Sequence, residues 1–231
     1  MEQKFTELAY NRPAFAKVLE DFKSMIIEFE NANSYQEQKD IINKINVLRK
    51  DFSSSANLVS IRNSINTADE FYKGEKSFFD QNSPSFSEVE EKYYNALCKS
   101  KFRTELENEF GSQIFIIAEL MTKAFIPEIL EDMQEENKLC SEYQKLIASA
   151  KIEFDGKIYN LAGMSPLSES LDRDVRKRAS KAVSAFYTAN ENQLDEIYDK
   201  LVKLRHDMAK KMGYKNDIEL GYIQMQRSDY N

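Results

Sequence analysis

Residues that make turns are scarce in this sequence. Its 231 residues include only 6 glycines and 4 prolines, whereas a multi-stranded sandwich or barrel needs a turn signal roughly every 8–12 residues. The scarcity excludes such folds and favours helices. The length allows one or two domains, because a chain of this size buries roughly 70–75% of the surface that its unfolded state exposes.

Long apolar runs and an export leader are also missing. Apolar runs such as FIIA at 115–118 and MII at 25–27 fall far below the ~20 residues of a transmembrane helix, so we expect no membrane span. The first ten residues, MEQKFTELAY, contain no apolar segment of the kind that a secretory signal needs. The two cysteines, Cys98 and Cys140, lie far apart without a CxxC motif, which predicts two free cytosolic thiols.

The sequence also contains only one histidine and has no excess of positive charge. The only histidine, His206, is followed by DMAK, so the zinc-helix signature HExxH does not occur. Because a catalytic zinc takes about three protein ligands, we predict no metal ligand and no catalytic residue in this chain. The 32 basic and 39 acidic residues give a net charge of −7, which offers no attraction to a phosphate backbone and predicts no nucleic-acid partner.

The first part of the chain has the apolar spacing of amphipathic helices. The segment 11–13 predicts a helix start, after which apolar residues recur at three- and four-residue steps from Phe15 to Phe29. SYQE at 34–37 fits a capping box, in which the serine and glutamate side chains accept from free backbone N–H groups. It opens a second helix that we expect to continue through the serine run to about Tyr72.

Helical spacing resumes near Glu75, and the tripeptide NSP at 82–84 predicts an interruption. SFSE at 85–88 is a second capping-box match and restarts the pattern. Further helices are expected over 86–100, 103–124 and 127–150. Within them Gly111 is a candidate break, and Pro127 suits a first helical turn.

One segment, KIEFDGKIYNL at 151–161, has a different pattern. Asp155 and Gly156, which tolerate the positive φ angles of a type I′ turn, lie between two short apolar runs. This arrangement predicts a short β-hairpin. An isolated hairpin is marginal in water, so it must pack on helices or on an edge from another part of the protein.

Helical signals return after the hairpin. Asp172 or Asp174 is expected near a helix N-terminus, a later helix is predicted to stop at Gly213, and Asn216 can cap another. The helix before Gly213 should bury one apolar face, formed by Leu194, Ile197, Tyr198, Leu201, Val202, Met208, Ala209 and Met212.

These features predict an all-α fold, an elongated multi-helix bundle or array with one short β-hairpin near 151–161. The predicted parts are a helical region 1–150, the hairpin 151–161 and a helical region 162–231. No repeat of constant period occurs in the sequence, although the helix-after-helix layout leaves a helical solenoid as an alternative.

A cluster of charges, DRDVRKR at 172–178, is one candidate binding element. Its guanidinium groups could bind a phosphate or a substrate carboxylate. Alternatively, Arg173 and Arg176 make structural ion pairs with an acidic helix such as 128–142. No GxGxxG or P-loop pattern accompanies the cluster, so nucleotide binding has no support.

A second candidate lies near the C-terminus, where Tyr222, Arg227 and Tyr230 occur within nine residues, with Met225 between them. The wall of a channel that contacts peptide backbone would use tyrosine hydroxyls and an arginine in this way. A helix end packed on its neighbour would have the same sequence. These three residues are therefore substrate-channel candidates, with helix-end packing as the alternative.

The order of three segments resembles a known family. FDGKIYNLAGM, SLDRDVRKRA and the long segment that begins NQLDEIYDKL follow one another as in the oligoendopeptidase F group of the thimet-oligopeptidase-like zinc metallopeptidases. INTADEFYKGEKSFFDQNSP at 65–84 extends the resemblance more weakly toward the N-terminus. The resemblance implies a mostly helical enzyme that hydrolyses short peptides in the cytoplasm, within a deep channel.

The resemblance also implies what this chain does not contain. In that family the HExxH zinc helix follows the part that resembles this chain, and no position here matches it, so no catalytic or metal-binding residue is carried over. We therefore expect the N-terminal, channel-covering portion of a zinc-dependent oligopeptidase, inactive by itself, with zinc in the full-length parent. The expected partners are the C-terminal catalytic part and short peptide substrates, together with self-association through the exposed inter-lobe face.

A competing hypothesis is a complete, all-helical adaptor that binds protein partners through amphipathic faces. The two hypotheses differ in the reading frame after Asn231. Continuation to an HExxH motif supports the peptidase, and a stop codon in the native gene supports the adaptor.

Overall fold

The computed structural model describes residues 4–229, which form the predicted all-α architecture with one β-hairpin. Its helices are α1 (Phe15–Asn31), α2 (Tyr35–Ile65), α3 (Glu70–Cys98), α4 (Arg103–Phe110), α5 (Gln113–Met121), α6 (Leu130–Ala148), α7 (Leu161–Ser168), α8 (Arg173–Ala189), α9 (Glu191–Lys211) and α10 (Asp217–Gln224). The strands are β1 (Ile152–Phe154) and β2 (Lys157–Tyr159). Short 3-10 turns occur at Phe5–Glu7 and Pro127–Ile129. In the described range, every helix is too short or too polar to cross a bilayer.

The main core is aromatic and lies between α1, α2, α3 and α5. The side chains of Phe22, Phe29 and Tyr93 are at most 1% exposed. The rings of Phe52 and Phe86 stack with their centroids 4.1 Å apart. Because the burial of aromatic rings contributes strongly to folding, this core holds the first helices in place and positions those that follow.

The predicted inner face of α1 is confirmed. Phe22, Ile26 and Phe29 are buried, and Phe15 and Val18 pack against the same core with partial exposure. The three- and four-residue spacing of these residues places them on one side of the helix. The sequence pattern was therefore sufficient to orient α1.

Helix α2 begins with part of the predicted capping box. The Ser34 hydroxyl accepts from the N–H of Glu37 at 3.3 Å, but the Glu37 carboxylate accepts from the residue before Ser34. The helix includes the serine run and ends at Ile65, so the expected continuation to Tyr72 is wrong. The reason is Asp69, whose carboxylate accepts from two N–H groups in the first turn of α3 and starts a new helix.

The predicted interruption at NSP is also wrong, since α3 continues through it with Pro84 buried inside the helix. Proline has no N–H, so the carbonyl of Asp80, four residues earlier, loses its helical donor. The side-chain amide of Asn137, on α6, donates to this carbonyl at 3.0 Å. A neighbouring helix therefore supplies the hydrogen bond that the proline removes, and the spacing of the sequence does not reveal that neighbour.

This arrangement makes the effect of Asn137 depend on Pro84. Asn137→Ala is expected to lower the free energy of unfolding by about 1–2 kcal/mol, because the Asp80 carbonyl then has no donor. In a Pro84→Ala background, the loss of unfolding free energy caused by Asn137→Ala should fall to about half or less, since the alanine N–H can donate to the same carbonyl. Urea unfolding of the two single variants and the double variant measures this coupling.

Gln134 provides the matched control for that cycle. Its side chain donates from α6 to the carbonyl of Gln81 at 2.7 Å, and the residue four positions after Gln81 is Ser85, which has an N–H. Gln134→Ala should therefore show no coupling to Pro84→Ala. Equal costs of Asn137→Ala in both backgrounds would contradict the explanation of how α3 tolerates its proline.

The predicted restart at SFSE is wrong as well, since these residues lie inside α3. Other predicted boundaries are confirmed. Gly111 has a φ of 84° and separates α4 from α5, and Pro127 opens the turn that leads into α6. Gly213, also with a φ of 84°, follows the end of α9. Asp172, rather than Asp174, caps α8, and Asn216 caps α10 through its side-chain oxygen.

Strands β1 and β2 form the predicted hairpin. Asp155 and Gly156 have φ angles of 49° and 75°, as a type I′ turn requires, and Ile152 pairs with Tyr159. The hairpin packs on α7 and α8, where Ile152 and Phe154 are buried. Helices of this chain therefore cover one of its faces.

A second core joins α6, α9 and α10. It buries Met208 and Ala209 of α9, Leu220 of α10 and Ile129 at the start of α6. Helix α6 also packs against α3, so it connects the first helices of the chain to the last ones. The predicted three-part division at 150 and 161 stays a prediction, because these contacts do not test it.

Candidate functional site

The C-terminal helix α10 places two of the three substrate-channel candidates next to each other. It ends in a Schellman motif, in which Arg227 donates its N–H to the carbonyl of Tyr222 at 3.0 Å and Gln226 donates to Ile223 at 2.8 Å. Gln226 adopts the left-handed conformation, with a φ of 55°. The chain therefore reverses direction after α10 and returns over it.

This reversal places the guanidinium of Arg227 over the ring of Tyr222, 4.2 Å from its centroid. The geometry is that of a cation–π contact, and both side chains are partly exposed. Tyr230 lies outside the described residues. The structure thus brings Tyr222 and Arg227 together, and their role in substrate binding stays a prediction.

The segment after α10 is attached to α5. Gln226 donates to the sulfur of Met121 at 3.8 Å, and Gln113 donates to the hydroxyl of Ser228 at 3.5 Å. On the opposite side of α10, Leu220 and Ile223 are buried. The helix end is therefore packed on its neighbour, and Met225, which is 58% exposed, projects from it as an apolar side chain.

Helix α9 departs from the sequence prediction on its apolar face. Ile197, Met208 and Ala209 are buried as expected. Tyr198 and Val202, which were assigned to the same face, are 71% and 43% exposed. The physical reason is that α6 covers only part of a wide apolar face, so the outer side of α9 has no neighbour within the described chain.

Tyr198 belongs to a groove that the sequence did not predict. The groove lies between α6, α8 and α9, has a volume of about 550 Å³ and is lined by Tyr143, Tyr187 and Tyr198 together with Leu194, Leu201 and Cys140. We call this surface the tyrosine groove. Its three tyrosines come from three separate helices, so no spacing in the sequence indicates that they meet.

The thiol of Cys140 lies in this groove, but it has no feature of a nucleophile. Partial burial raises the pKa of Cys140 above its usual value, and nearby Glu136 adds to the effect. The thiol is therefore neutral near pH 7, and the thiolate is the reactive form. Burial raises the pKa of Cys98 in the same way. Both thiols are free, as predicted.

The basic cluster at 172–178 forms internal contacts. Arg176 donates to the carbonyls of Ser170 and Leu171 just before α8, and Arg178 pairs with Asp155 in the hairpin turn. In the described part of the chain, neither Arg173 nor Arg176 forms an ion pair with the acidic helix 128–142, so that interpretation is wrong. Arg178 instead joins the hairpin turn to α8, and Arg176 bonds the backbone just before that helix.

The acidic helix forms ion pairs with basic residues of α9. Arg205 donates to Glu136 at 2.6 Å, and Lys211 donates to Asp132 at 2.5 Å. The carboxylates are 16–19% exposed, so these contacts are partly shielded from water. They hold α6 and α9 together next to the tyrosine groove.

A polar cluster on the other side of α6 is also structural. The hydroxyl of Ser141 donates to Asp80 at 2.6 Å and accepts from Lys76 at 3.0 Å, while Lys76 pairs with Asp80. The three side chains satisfy one another. They join α3 to α6 and provide no free base for activating the serine.

The described residues do not provide a metal site. Between residues 4 and 229, no three His, Cys, Asp or Glu side chains are arranged so that they could hold an ion. His206 is an exposed residue of α9. The residues at hand thus do not fit a zinc ion.

Comparison with known proteins places this architecture in a family. A model of the peptidase M3 N-terminal domain matches residues 5–125. A search of curated proteins found no match.

Solved structures match almost the whole chain. A protein described as an oligoendopeptidase F is 46% identical, with a TM-score of 0.95 over 100% of this chain and 41% of its own. PZ peptidase A, solved with an inhibitor, is 47% identical, with a TM-score of 0.94 over 99% and 41%. An oligoendopeptidase F from Bacillus anthracis str. Ames is 45% identical, with a TM-score of 0.94 over 100% and 42%.

The chain therefore spans about two fifths of the length of the solved structures that it matches. The agreement confirms the resemblance that the segments at 154–164, 170–179 and 192–231 indicated. The family model covers more than half of the 231 residues. The chain belongs to the peptidase M3 N-terminal domain family and is similar to the N-terminal portion of oligoendopeptidase F.

Proposed function

We propose that this chain is the N-terminal, channel-covering part of a zinc-dependent oligopeptidase that hydrolyses short peptides in the cytoplasm, and that it is inactive by itself. One observation carries the proposal. The whole chain matches an oligoendopeptidase F at 46% identity and a TM-score of 0.95, yet it spans only 41% of that protein. The remaining three fifths of such a protein are where the proposal places the chemistry.

The proposal places the zinc ion outside this chain, in the rest of the protein. The described residues offer no set of three ligands, and the proposal assigns the zinc ligands to the C-terminal catalytic part. The proposed role of this chain is to cover the channel, to exclude large folded substrates and to contact short peptides that enter. The native reading frame tests this directly, since an HExxH motif downstream of Asn231 supports the proposal and a stop codon at that point opposes it.

The proposed partners follow from the same assignment. They are the C-terminal catalytic part and short peptides. In the isolated chain, the surface that normally meets the catalytic part would be uncovered, which favours self-association.

Tyr222 and Arg227 are the proposed peptide contacts. In the full-length enzyme, Arg227→Ala should raise KM or lower kcat so that kcat/KM falls about tenfold, which corresponds to ~1.4 kcal/mol of binding or transition-state stabilisation. The fold should persist, because the backbone hydrogen bond of Arg227 does not depend on its side chain. Steady-state kinetics with a fluorogenic peptide measures the effect.

Arg173→Ala serves as the control for that experiment. Arg173 is an exposed arginine at the start of α8 and should leave kcat/KM unchanged. If Arg227→Ala and Arg173→Ala give the same kinetics as the unaltered enzyme, the assignment of Arg227 to the substrate channel is rejected.

A further inference from the structure

The tyrosine groove brings exposed aromatic side chains from three helices to one surface. Tyr143 of α6, Tyr187 of α8 and Tyr198 of α9 are 46%, 42% and 71% exposed, and Val202 lies one turn after Tyr198 with 43% exposed. Scattered apolar residues are normal on a protein surface, but a contiguous patch rich in tyrosine is typical of an interface. The groove is therefore a candidate for contact with another folded surface.

The tyrosine hydroxyls of the groove support this interpretation. Elsewhere in the chain, Tyr10 donates to Glu75 at 2.5 Å and Tyr214 donates to the carbonyl of Lys123 at 2.9 Å. Within residues 4–229, by contrast, the hydroxyls of the three groove tyrosines have no hydrogen-bond partner. Exposed tyrosines combine an apolar ring with a hydroxyl that can bond a partner's polar groups, which suits them to an interface.

The rim of the groove carries unpaired negative charge, because Arg205, the cation among its lining residues, is paired with Glu136. Asp195 lines the groove, and Glu191 lies one turn earlier on α9. In the described structure, neither carboxylate forms an ion pair, whereas Glu196 and Asp199 on the same helix are paired with Lys200 and Lys203. An occupant that presents apolar side chains next to Lys or Arg would complement this surface.

The lengths of the related structures indicate which occupant is available. This chain matches them over 99–100% of its residues with TM-scores of 0.94–0.95, so its helices have the same arrangement within proteins of which it forms only 41–42%. A second copy would bring Asp195 and Glu191 toward the same acidic rim, since an isologous interface uses one patch twice, so self-association of the isolated chain should be weaker than contact with the catalytic part. The remainder of the peptidase avoids that repulsion.

We infer that the tyrosine groove is the docking surface for the C-terminal part of the full-length peptidase, which contacts it with an apolar segment flanked by Lys or Arg. The inference rests on the proposed function, because it requires that a catalytic part follows this chain. It adds a location to that function. The groove between α6, α8 and α9 becomes the contact that fixes the covering part relative to the catalytic part.

Cys140 provides a direct reporter, because its partly exposed thiol lines the groove. The isolated 231-residue chain and the full-length protein are treated with a maleimide at low protein concentration, and labelling is followed by mass spectrometry of the peptides that contain Cys140 and Cys98. Cys98, which packs against the separate aromatic core, is the internal reference. We expect the rate of Cys140 labelling to fall about tenfold in the full-length protein, which corresponds to a free energy of ~1.4 kcal/mol for covering the thiol. The rate of Cys98 labelling should not change.

Three outcomes would overturn the inference. Equal Cys140 labelling in both proteins would show that the groove stays open. Protection that disappears when the full-length protein is diluted would assign the groove to a second copy. Protection that appears only after a short peptide is added would assign it to the substrate. The zinc content and peptidase activity of the same full-length sample, measured separately, report on the proposed function, so the two failures can be distinguished.

A matched pair of variants tests the surface itself. Val202→Lys places a charge beside the groove, and Val47→Lys makes the same change on α2, at a site that is 60% exposed. In the isolated chain both variants should fold normally. In the full-length protein, Val202→Lys should restore Cys140 labelling to within about threefold of the isolated chain, whereas Val47→Lys should not. Equal effects of the two variants would contradict the assignment.

Discussion

Phe22→Ala is expected to lower the free energy of unfolding by about 3–5 kcal/mol, the range for removing a phenylalanine from a tightly packed core. Phe22 is completely buried. Its ring centroid lies 5.5 Å from that of Phe86 and 6.1 Å from that of Tyr93. The substitution therefore removes one of the aromatic contacts between α1 and α3 and leaves a cavity between the remaining rings, which are too rigid to close it.

Ile27→Ala is the matched control on the same helix. Ile27 is 59% exposed, so its truncation should change the free energy of unfolding by no more than about 0.5 kcal/mol. Urea unfolding followed by circular dichroism measures both variants. A loss below about 1 kcal/mol for Phe22→Ala would show that the aromatic cluster is not the main core of the first helices.

Glu75→Ala is expected to have the second-largest effect, a loss of about 3 kcal/mol. Glu75 is a buried carboxylate, 4% exposed, that accepts from Tyr10 at 2.5 Å and from both Arg12 nitrogens, Nε and Nη2. These contacts attach the segment before α1 to α3. Removing the carboxylate leaves the Tyr10 hydroxyl without its acceptor and the segment without its main attachment.

The same network makes stability depend on pH. Hydrogen bonds from Arg12 hold the pKa of Glu75 below its ordinary value of 4.5, and the hydroxyl of Tyr10 contributes as well. Because the folded state has the lower pKa, the stabilisation is present above the unfolded pKa and is lost as the pH falls through the folded pKa. The free energy of unfolding should therefore decrease as the pH falls below 4.5.

Glu75→Gln separates this contribution from those of other carboxylates, since glutamine has a similar shape and does not titrate. Its unfolding free energy should be lower than that of the unaltered chain near neutral pH, and the difference should narrow as the pH falls. The exposed pair Lys17 and Asp21 supplies a control, because Asp21→Asn should change little. A constant difference between Glu75→Gln and the unaltered chain across this pH range would contradict the role assigned to Glu75.

Local signals in the sequence were sufficient for much of the fold. Asp155 and Gly156 predicted the hairpin because their residue types match a backbone conformation that few others adopt. Gly111 and Gly213 marked helix ends for the same reason. The apolar spacing of α1 oriented that helix. In each case the physical cause lies within a few residues of the position.

Where the cause lies far away along the chain, prediction from the sequence failed. NSP looked like a break because the donor that replaces the proline N–H, Asn137, is 53 positions after Pro84. Arg176 bonds the carbonyls of Ser170 and Leu171 instead of the acidic helix, and Arg178 pairs with Asp155 because the fold places α8 against β1. The tyrosine groove combines residues from three helices, and the buried carboxylate of Glu75 depends on residues near the N-terminus. Only the tertiary structure brings these groups together.

The same distinction applies to the candidate functional residues: some could be predicted from the sequence and others could not. Tyr222 and Arg227 could be paired from their spacing, since a five-residue separation at the end of a helix allows the chain to return over it. Their contact is present, at 4.2 Å from guanidinium to ring centroid. The groove could not be found, because Tyr198 and Val202 have the spacing of buried residues and yet are exposed in the structure.

Zinc content and peptide turnover, measured on both the 231-residue chain and the full-length protein, test the central claim most directly. We expect about one zinc per full-length molecule, as a catalytic zinc site requires, and hydrolysis of a fluorogenic peptide that stops when a chelator removes the metal. The 231-residue chain should bind no stoichiometric zinc and show no turnover. Stoichiometric zinc with turnover in the 231-residue chain would contradict the account, as would a full-length protein that neither binds zinc nor cleaves peptides.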